Sequence, residues 1–529
     1  MKLTRRESLK LLGSLATAAA VATTAGCCRH RYPESLIGQD EIVGGTLDLR
    51  PARVVKSSLA PARCIDVHAH FFNASDVPVK DFVAKCLGHS LDEPLRSLAK
   101  LLAPLANALA ELAPTAKEDL ADIRAMERQV AGLAPAQARS FVDARVQSRL
   151  EARSRDVASI LGNTDFERRY IEIKAQVAGP QSAGAIPGLT ADTIRNIATR
   201  NSVPRARAAI EAAIAPARAA ARGMDADGIV RFITFMVSSR LDNLERYKKA
   251  YTEAEHAFGI DTVLGALVDF DYWLDCPPLS SHEDQIALHA ALARKYAGYL
   301  LPVVAYNPMT DIKQKGAGLA RAMDAVDRLG FVGVKIYPPM GFAPADNKDK
   351  KLNETLKKFF DACTRRQLPV MAHAAQSLGL DASHDLLGAP TGWAALLKQY
   401  DTHTGDLSAV VNVSHFGGAA SKQENDWTQE FADLMATSYG RRLYGDIGFW
   451  DELYRCEKPA VCEAARQRLA KTVAAHSAVQ DRVMFGTDWL MLSRIEAWPE
   501  YPQQVALALD GVLSMDKLFG ANAAACFRI

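Results

Sequence analysis

The stretch CIDVHAH, from Cys64 to His70, is apolar and β-prone up to its end, where it places two histidines two residues apart. Side chains alternate between the two faces of a strand, so His68 and His70 point to the same side. Two imidazoles on one side of a rigid strand are able to coordinate a single metal ion. Because His-x-His also arises by chance, the rest of the chain has to supply the context.

That context is a regular alternation of short apolar runs and helical segments after Asp261. Parallel strands joined by crossover helices produce this alternation. Strand cores are predicted to begin at positions about 30 to 40 residues apart, namely Val263, Val303, Val332, Val370, Val410, Leu443 and Val483. With the strand that ends at His70 they number eight, which predicts an α/β fold of the (β/α)8 TIM-barrel type. A doubly wound open sheet competes, but no Gly-x-Gly-x-x-Gly turn follows an early strand.

Further polar residues lie at the carboxyl ends of the predicted strands, where a parallel barrel gathers its active-site side chains. They are Lys335 on strand four, His373 on strand five, His415 on strand six and Asp488 on strand eight. Three more strand-end residues either line the same pocket or only pack and cap: Asp446, Tyr337 and Trp489. The sequence therefore predicts that distant side chains meet around the strand-one histidines.

The flanking segments DVHAHFFN, VGVKIYPPMGF, LYGDIGF, FGTDW and LFGANAA resemble the amidohydrolase superfamily, and in particular its amidohydrolase 2 branch. The resemblance implies a bound divalent metal ion. Zn²⁺ is the expected ion, because neutral imidazoles and one carboxylate suit it and leave a position open for water. The ligands that the resemblance implies are His68, His70, His373 and Asp488, and the catalytic residues are Asp488, His415 and Lys335.

Lys335 bears on the number of metal ions. In binuclear members of the superfamily a strand-four lysine is carbamylated and bridges two ions, and Lys335 and His415 would then be ligands as well. In mononuclear members of the branch, His415 would be a catalytic base or a donor to the substrate oxygen. An unmodified Lys335 would then pair with a substrate carboxylate or a nearby acid. One ion is favoured, because the resemblance to the branch is broader than the strand-four match.

The implied function is a metal-dependent hydrolase, in which a metal-activated water attacks a carbonyl-type bond of a small-molecule substrate while Asp488 accepts a proton. A non-oxidative decarboxylase of a small carboxylic acid is the alternative, with Lys335 seating the carboxylate and His415 protonating the carbanion. A second alternative is a non-catalytic metal- or ligand-binding lipoprotein, although none of the ligands is missing. The sequence identifies neither the substrate nor the oligomeric state.

Bulk composition is that of an ordinary globular protein. Of the 529 residues, 49% are hydrophobic and 23% are charged, and the formal net charge is +2. A near-neutral chain without a clustered basic face gives no indication of a nucleic-acid partner. Cys456 and Cys462 could close a small disulfide loop in an oxidising compartment, with free thiols as the alternative.

Residues 1–27 resemble a bacterial twin-arginine export signal, because Arg5 and Arg6 precede an apolar run. That run is too short to span a bilayer as a helix. Its end at Cys27 resembles a lipoprotein cleavage box except at Thr24, where Leu is usual. A periplasmic location is therefore expected, and membrane attachment through a lipid on Cys27 and simple cleavage both remain open.

The rest of the chain divides into four parts: a linker over 28–62, strand one within 63–77, a helical insertion over 78–258 and barrel strands two to eight over 259–529. The insertion is predicted from leucines at steps of three and four between Leu95 and Leu112, and from Ile123, Met126, Val130 and Leu133. Packing within the insertion explains the leucine stripe better than a subunit contact does. Because the insertion leaves the barrel at the carboxyl end of strand one, it is expected to cover or border the metal.

Overall fold

Eight parallel strands form one sheet in the order of the chain, each pairing with the next. In the computed structural model they are β1 Ile65–Ala69, β2 Thr262–Ala266, β3 Leu300–Ala305, β4 Val334–Ile336, β5 Val370–Ala375, β6 Val411–Gly417, β7 Leu443–Asp446 and β8 Val483–Met484. The segment after β8 returns to β1, where the amide of Val67 donates to the carbonyl of Phe485 and the amide of Asp488 to the carbonyl of His68. The sheet is thus nearly closed, and the predicted (β/α)8 barrel is confirmed.

The structure describes residues 47–87, 110–161, 226–253, 258–375, 377, 379–381, 383–401, 408–418, 427–454, 459–495 and 497–529. The predicted export signal and the leucines from Leu95 to Leu109 lie outside these ranges. So does Cys456, while Cys462 is disulfide-bonded. No helix in the described ranges combines the length and the apolar character needed to cross a membrane.

Helices separate the strands that follow β2, and two more α-helices follow β8. They are His282–Lys295, Pro308–Lys313, Ala317–Leu329, Lys350–Arg366, Pro390–Gln399, Trp427–Met435, Pro459–Ala475, Tyr501–Leu509 and Asn522–Phe527. The helix Lys350–Arg366 shows how the local sequence sets the boundaries. The Asp349 side chain accepts hydrogen bonds from the first-turn amides of Lys351 and Leu352, and Gln367 ends the helix in a left-handed conformation.

Between β1 and β2 the described residues include four α-helices of nine or more residues: Ala116–Val130, Pro135–Leu161, Ala226–Met236 and Arg240–Lys248. The first begins with a capping box between Thr115 and Glu118. Its predicted apolar face is buried at Ile123, Met126 and Val130. Leu133 does not belong to that face, because the helix ends at Val130 and the Leu133 side chain is 42% exposed.

A buried ion cluster joins these helices to the turn after β1. The Arg240 guanidinium is buried, donates to both carboxylate oxygens of Asp76 and lies 3.1 Å from Asp119. Asn73, in the same turn, donates from its side chain to the carbonyl of Ser238, at 2.9 Å. Because removing one partner leaves an uncompensated buried charge, such a cluster fixes the helices to the carboxyl end of β1.

The opposite end of the barrel is closed by the carboxyl terminus of the chain. Side chains of the helix Asn522–Phe527 pack on interior strand residues in a small core of Ile65, Val67, Leu264, Val303, Met371, Met484, Cys526 and Phe527. Asn522 donates from its side-chain amide to the carbonyl of Val483, at 2.8 Å, where β8 begins. The floor of the barrel is therefore apolar, and the polar residues are concentrated at the other mouth.

β3 begins at Leu300, three residues before the predicted Val303, and two further predicted strand boundaries need correction. β4 begins at Val334 instead of Val332, although the amide of Val332 already donates to Pro302 of β3. β8 contains only Val483 and Met484, so Asp488 lies four residues beyond the strand and is held by backbone bonds to β1. In both places the chain stays close to its neighbour but leaves regular strand geometry.

Candidate metal centre

His68, His70 and Asp488 come together at the carboxyl end of β1, and one potential ligand atom of each lies within 4.8 Å of the others. The Nε2 atoms of the two histidines are 3.2 Å apart. Oδ1 of Asp488 is 3.7 Å from Nε2 of His68 and 3.6 Å from Nε2 of His70. All three residues are buried. Two imidazoles and one carboxylate are a donor set that suits zinc and neighbouring transition metals.

Hydrogen bonds on the far side of each ring decide which nitrogen faces this cluster. Nδ1 of His68 lies 2.9 Å from Oδ1 of Asp446, and Nδ1 of His70 lies 2.7 Å from the carbonyl of Ala266. Both oxygens only accept, so each Nδ1 carries the proton. In the neutral rings both Nε2 atoms then present lone pairs to each other, an arrangement that a cation between them would stabilise. The residues present therefore fit a divalent metal.

Asp446, at the end of β7, holds the His68 ring in this orientation. It also accepts hydrogen bonds from the side chain of Asn412, at 2.7 Å, and from the amides of His415 and Gly448, at 3.2 and 3.0 Å. Burial by itself would raise the pKa of Asp446, but its neighbours His68, His415 and Lys335 hold that pKa well below its usual value. Asp446 therefore stays ionised and orients an imidazole, a role that the sequence left open.

Glycines let the backbone approach His68 closely. A Cβ atom on Gly448 would lie 2.6 Å from Nδ1 of His68 and 2.9 Å from Oδ1 of Asp446. A Cβ atom on Gly486 would lie 2.7 Å from Cβ of His68. Real Cβ contacts are not this short, so any side chain at these two positions would displace the imidazole or its carboxylate partner.

His415 and His373 form a second, differently connected pair. Nδ1 of His415 lies 2.8 Å from the carbonyl of Gly448 and so carries the proton. Its Nε2 then accepts from Nδ1 of His373, at 3.1 Å. Nε2 of His373 is left unprotonated, buried and without a hydrogen-bond partner among the described residues. Burial lowers the pKa of His415 to about 4 and that of His373 well below its usual value, so both rings are neutral.

Lys335 is fully enclosed beside the cluster. Its Nζ lies 3.3 Å from Nε2 of His68 and 3.3 Å from the hydroxyl of Ser414. Burial lowers the pKa of Lys335 to about 8, against the opposing effect of Asp446 and Asp488. A lysine with a pKa this low is partly neutral in mildly alkaline solution, and buried lysines of this kind take part in chemistry more readily than exposed ones.

The structure brings together all six side chains that the sequence singles out. The His68 and His415 ring centroids are 4.7 Å apart, and those of His415 and His373 are 4.5 Å apart. His373 nevertheless lies outside the group whose ligand atoms are mutually within 4.8 Å. Its Nδ1 contacts His415, and the ring of Tyr337 stacks on its other side with centroids 4.5 Å apart.

Backbone strain is concentrated around the site. Five non-glycine residues at the carboxyl ends of β6, β7 and β8 or just beyond them have positive φ angles: 67° at His415, 42° at Phe416, 55° at Phe449, 50° at Asp488 and 86° at Leu490. Such conformations cost about 1–3 kcal/mol each and persist where the surrounding structure enforces them. Here the strain aims two of the predicted site residues toward the β1 histidines.

Asp66 is a site residue that the sequence analysis missed. Its carboxylate accepts from the amides of His68 and Thr487, each at 3.0 Å, and from the hydroxyls of Thr487 and Tyr247, each at 2.6 Å. Burial raises the pKa of Asp66 to about 6. An acidic residue in the middle of an otherwise apolar strand was the available signal, because such a group must find buried donors.

Comparison with known proteins identifies a family for the carboxyl-terminal half. Residues 280–529 match the family model described as amidohydrolase. The match covers β3 to β8, and the β1 histidines lie before it. A search of curated proteins finds no significant match.

Solved structures that resemble the chain share little sequence with it. A TIM-barrel protein from Bordetella bronchiseptica is 18% identical, with 54% of this chain and 81% of that chain covered and a TM-score of 0.36. A probable 2-pyrone-4,6-dicarboxylic acid hydrolase from Acinetobacter baumannii is 15% identical, with coverages of 51% and 84% and a TM-score of 0.34. A 2,6-dihydroxybenzoate decarboxylase from Rhizobium is 15% identical, with coverages of 51% and 84% and a TM-score of 0.32.

Proposed function

We propose that the protein is a metal-dependent hydrolase acting on a carbonyl-type bond of a small molecule, on the premise that residues 280–529 match the family model described as amidohydrolase. The observation that carries the proposal is the pair of facing Nε2 atoms of His68 and His70, 3.2 Å apart and flanked by the Asp488 carboxylate. A bound divalent ion, Zn²⁺ by its donor set, would polarise a carbonyl and lower the pKa of a water to roughly 7.

The residues of the chain divide the remaining work. Burial would raise the pKa of Asp488, but His68, His415 and His70 lower it, so the carboxylate is ionised and able to accept a proton. His415 is held by Gly448 with its ring facing His68, where it is placed to contact a substrate oxygen. The fixed hydrogen bonds on the far side of each ring keep these groups oriented before a substrate arrives.

We propose one metal ion, with the unpartnered Nε2 of His373 as a further ligand to the set of His68, His70 and Asp488. Two-ion chemistry would require both His415 and a carbamylated Lys335 to turn toward a second cation. The connectivity favours one ion, because Nε2 of His415 accepts the proton of His373 and Lys335 already contacts Ser414. Metal analysis with intact-protein mass measurement tests this, since a second ion should appear with carbamate mass on Lys335.

A decarboxylase of a small carboxylic acid is the second candidate. The observation that favours it is the buried amine of Lys335, 3.3 Å from Nε2 of His68, where a cation could seat a carboxylate. His415 would then have to take up a proton on Nε2 before it protonates the carbanion that remains after carbon dioxide leaves, because its resting proton lies on Nδ1 and is bonded to Gly448. The two reactions use the same cluster and differ in their products.

A substrate panel assayed with and without a chelator separates these functions. Purified full-length protein is incubated with esters, lactones, amides and aromatic carboxylic acids, and the products and metal content are measured. The hydrolase proposal expects about one divalent ion per chain and hydrolysis that the chelator abolishes. Carbon dioxide release without hydrolysis would establish the decarboxylase. A protein that binds metal but turns nothing over would support the non-catalytic alternative.

We also propose that the protein is exported to the periplasm through a twin-arginine-type signal, on the strength of Arg5, Arg6 and the apolar run after them. Replacing both arginines by lysine should retain the protein in the cytoplasm, as measured by fractionation of producing cells. Mass analysis of the mature amino terminus, with Cys27→Ser as the control, distinguishes a lipid-anchored product from a simply cleaved one.

A further inference from the structure

Arg494 is a buried cation near the site that the proposed chemistry does not use. Its side chain lies in the short helical turn Leu492–Arg494 after Asp488 and the residue is only 6% exposed. Nε donates to the carbonyl of Met491, at 2.9 Å. The two terminal nitrogens make no hydrogen bond or ion pair with any residue in the described part of the chain. A guanidinium carries five donors, so most of its capacity is unmet.

Two aromatic rings hold this guanidinium in place. Its central carbon lies 5.0 Å from the ring centroid of Phe449 and 5.9 Å from that of Phe232. Phe449 belongs to the loop after β7, and Phe232 belongs to the helix Ala226–Met236 between β1 and β2. Cation–π contacts on two sides offset part of the cost of burying the charge, yet they leave the hydrogen-bonding edge of the group free.

The surrounding backbone is fixed as well. Arg231, on the same helix as Phe232, donates to the carbonyls of Ser493, at 2.7 Å, and Ile495, at 2.8 Å, the residues on either side of Arg494. The loop after β8, which carries Arg494, is therefore held against the helix Ala226–Met236. A guanidinium held by backbone and rings but not by an acid is pre-organised for a ligand.

The same loops place Arg494 beside the metal centre. The amides of Met491 and Leu492 both bond to the carbonyl of Asp488, which makes the turn tight. Phe449 directly follows Gly448, whose carbonyl anchors His415. Burial lowers the pKa of Arg494, and the charges of Asp451 and Asp488 oppose that effect, so those two carboxylates lie within electrostatic reach.

We propose that Arg494 binds a carboxylate group of the substrate, and that the enzyme therefore acts on small carboxylic acids or on molecules that carry one. The planar fork of a guanidinium matches a carboxylate with two parallel hydrogen bonds. Lys335 is the competing cation, but its amine already contacts His68 and Ser414, whereas the terminal nitrogens of Arg494 have no described partner. This assignment rests on the proposed function of the same site and names its substrate class.

Calorimetric titration of full-length, metal-free protein with benzoate and with benzamide tests the assignment apart from turnover. The two probes share a ring and differ in charge, and removal of the metal prevents direct coordination. Wild-type protein should bind benzoate at least about tenfold more tightly than benzamide, which is the effect of one charge-assisted hydrogen-bonded pair. Arg494→Met should abolish the preference, Arg494→Lys should keep part of it, and Lys335→Met should keep it whole.

Equal binding of the two probes by the wild type would overturn the assignment without any variant. So would an Arg494→Met protein that still prefers benzoate, or a preference that disappears with Lys335→Met instead. Melting temperatures of the variants show whether the fold is intact, and the retained benzamide affinity shows the same for the pocket. Arg494-dependent benzoate binding in a protein that turns nothing over would support the carboxylate site while contradicting the hydrolase.

Discussion

The two halves of the candidate site use their ring nitrogens in opposite ways. On the β1 side, His68 and His70 each give their Nδ1 proton to an oxygen outside the cluster, so both Nε2 lone pairs converge beside Asp488. On the β5 and β6 side, His373 gives its proton to His415, so one nitrogen of the pair is consumed by the other. The first half is a prepared ligand set, and the second is a linked pair positioned beside it. Within that pair only His373 keeps an Nε2 lone pair without a partner among the described residues, so His373 can join the ligand set, whereas both ring nitrogens of His415 are engaged.

The largest effect is expected from removing a ligand of the β1 half. His68→Ala and Asp488→Ala should reduce the metal content from about one ion per chain to near zero and abolish turnover, because the remaining donors cannot complete the set. Elemental analysis of purified protein measures this. His476→Ala is the matched control, since His476 is a histidine paired with an acid, Asp433, outside the site. Normal metal binding by His68→Ala would contradict the division between the halves.

Lys335→Met tests whether a group outside the β1 half binds metal. We expect an unchanged metal content and a turnover reduced by roughly 10²- to 10⁴-fold, the usual contribution of a positioned proton-transferring or charged group. Steady-state kinetics and elemental analysis on the same sample measure both quantities. Loss of one of two ions, together with carbamate mass that disappears in the variant, would instead show that Lys335 is a bridging ligand and that both halves bind metal.

Asp446→Asn weakens the support of His68 without removing a ligand. The amide cannot accept all four hydrogen bonds that the carboxylate accepts, so the imidazole loses its fixed orientation. Metal affinity should fall about 10- to 100-fold, as measured by competition with a chromophoric chelator. Asp433→Asn removes the acid from the exposed His476 pair and should leave the metal affinity unchanged. Unaltered affinity in Asp446→Asn would mean that the β1 half needs no external anchor.

The smallest effect concerns histidines that are buried outside both halves. Burial lowers the pKa of His289, on the helix His282–Lys295, to about 3. The unfolded chain takes up a proton near pH 6.5 and the folded chain does not, so stability is full above pH 6.5 and declines as the pH falls toward 3. Between pH 7 and 5 this group should cost about 2 kcal/mol.

Urea unfolding of metal-free protein at both pH values measures that decline. His289→Leu should make the loss of stability between pH 7 and 5 smaller than in the wild type. An equal loss in wild type and His289→Leu would contradict a contribution of His289 to the acid sensitivity.

The sequence was sufficient to predict the strand order and the six convergent side chains. Both depend on repeating signals, namely the apolar runs and the polar residues that end them, and barrel geometry converts these into one mouth. His373 and His415 could thus be placed near His68 from their strand positions alone. The helix face at Ile123, Met126 and Val130 was predictable for the same reason, whereas Leu133 was not, because the helix end is set by local geometry.

The roles of individual nitrogens could not be predicted. Which of His373 and His415 keeps a nitrogen free for a metal depends on where the carbonyl of Gly448 lies, because that carbonyl holds the Nδ1 proton of His415 and leaves its Nε2 to accept from His373. The sequence does not distinguish Asp446 from a capping residue, because its role depends on where the fold places the four groups that donate hydrogen bonds to it. Arg494 lies in an irregular turn without a motif, and only its unmet hydrogen-bonding capacity in the folded chain draws attention to it.

The carboxylate of Asp66 accepts from Thr487, 421 positions away in sequence. Almost the whole chain must therefore be synthesised before His68 and His70 of the first strand can contact Asp488. A ribosome-bound fragment that stops short of β8 lacks Asp488, and with it one of the three clustered donors. Metal binding thus follows completion of the polypeptide. A prematurely terminated chain should carry no bound metal ion when it leaves the ribosome.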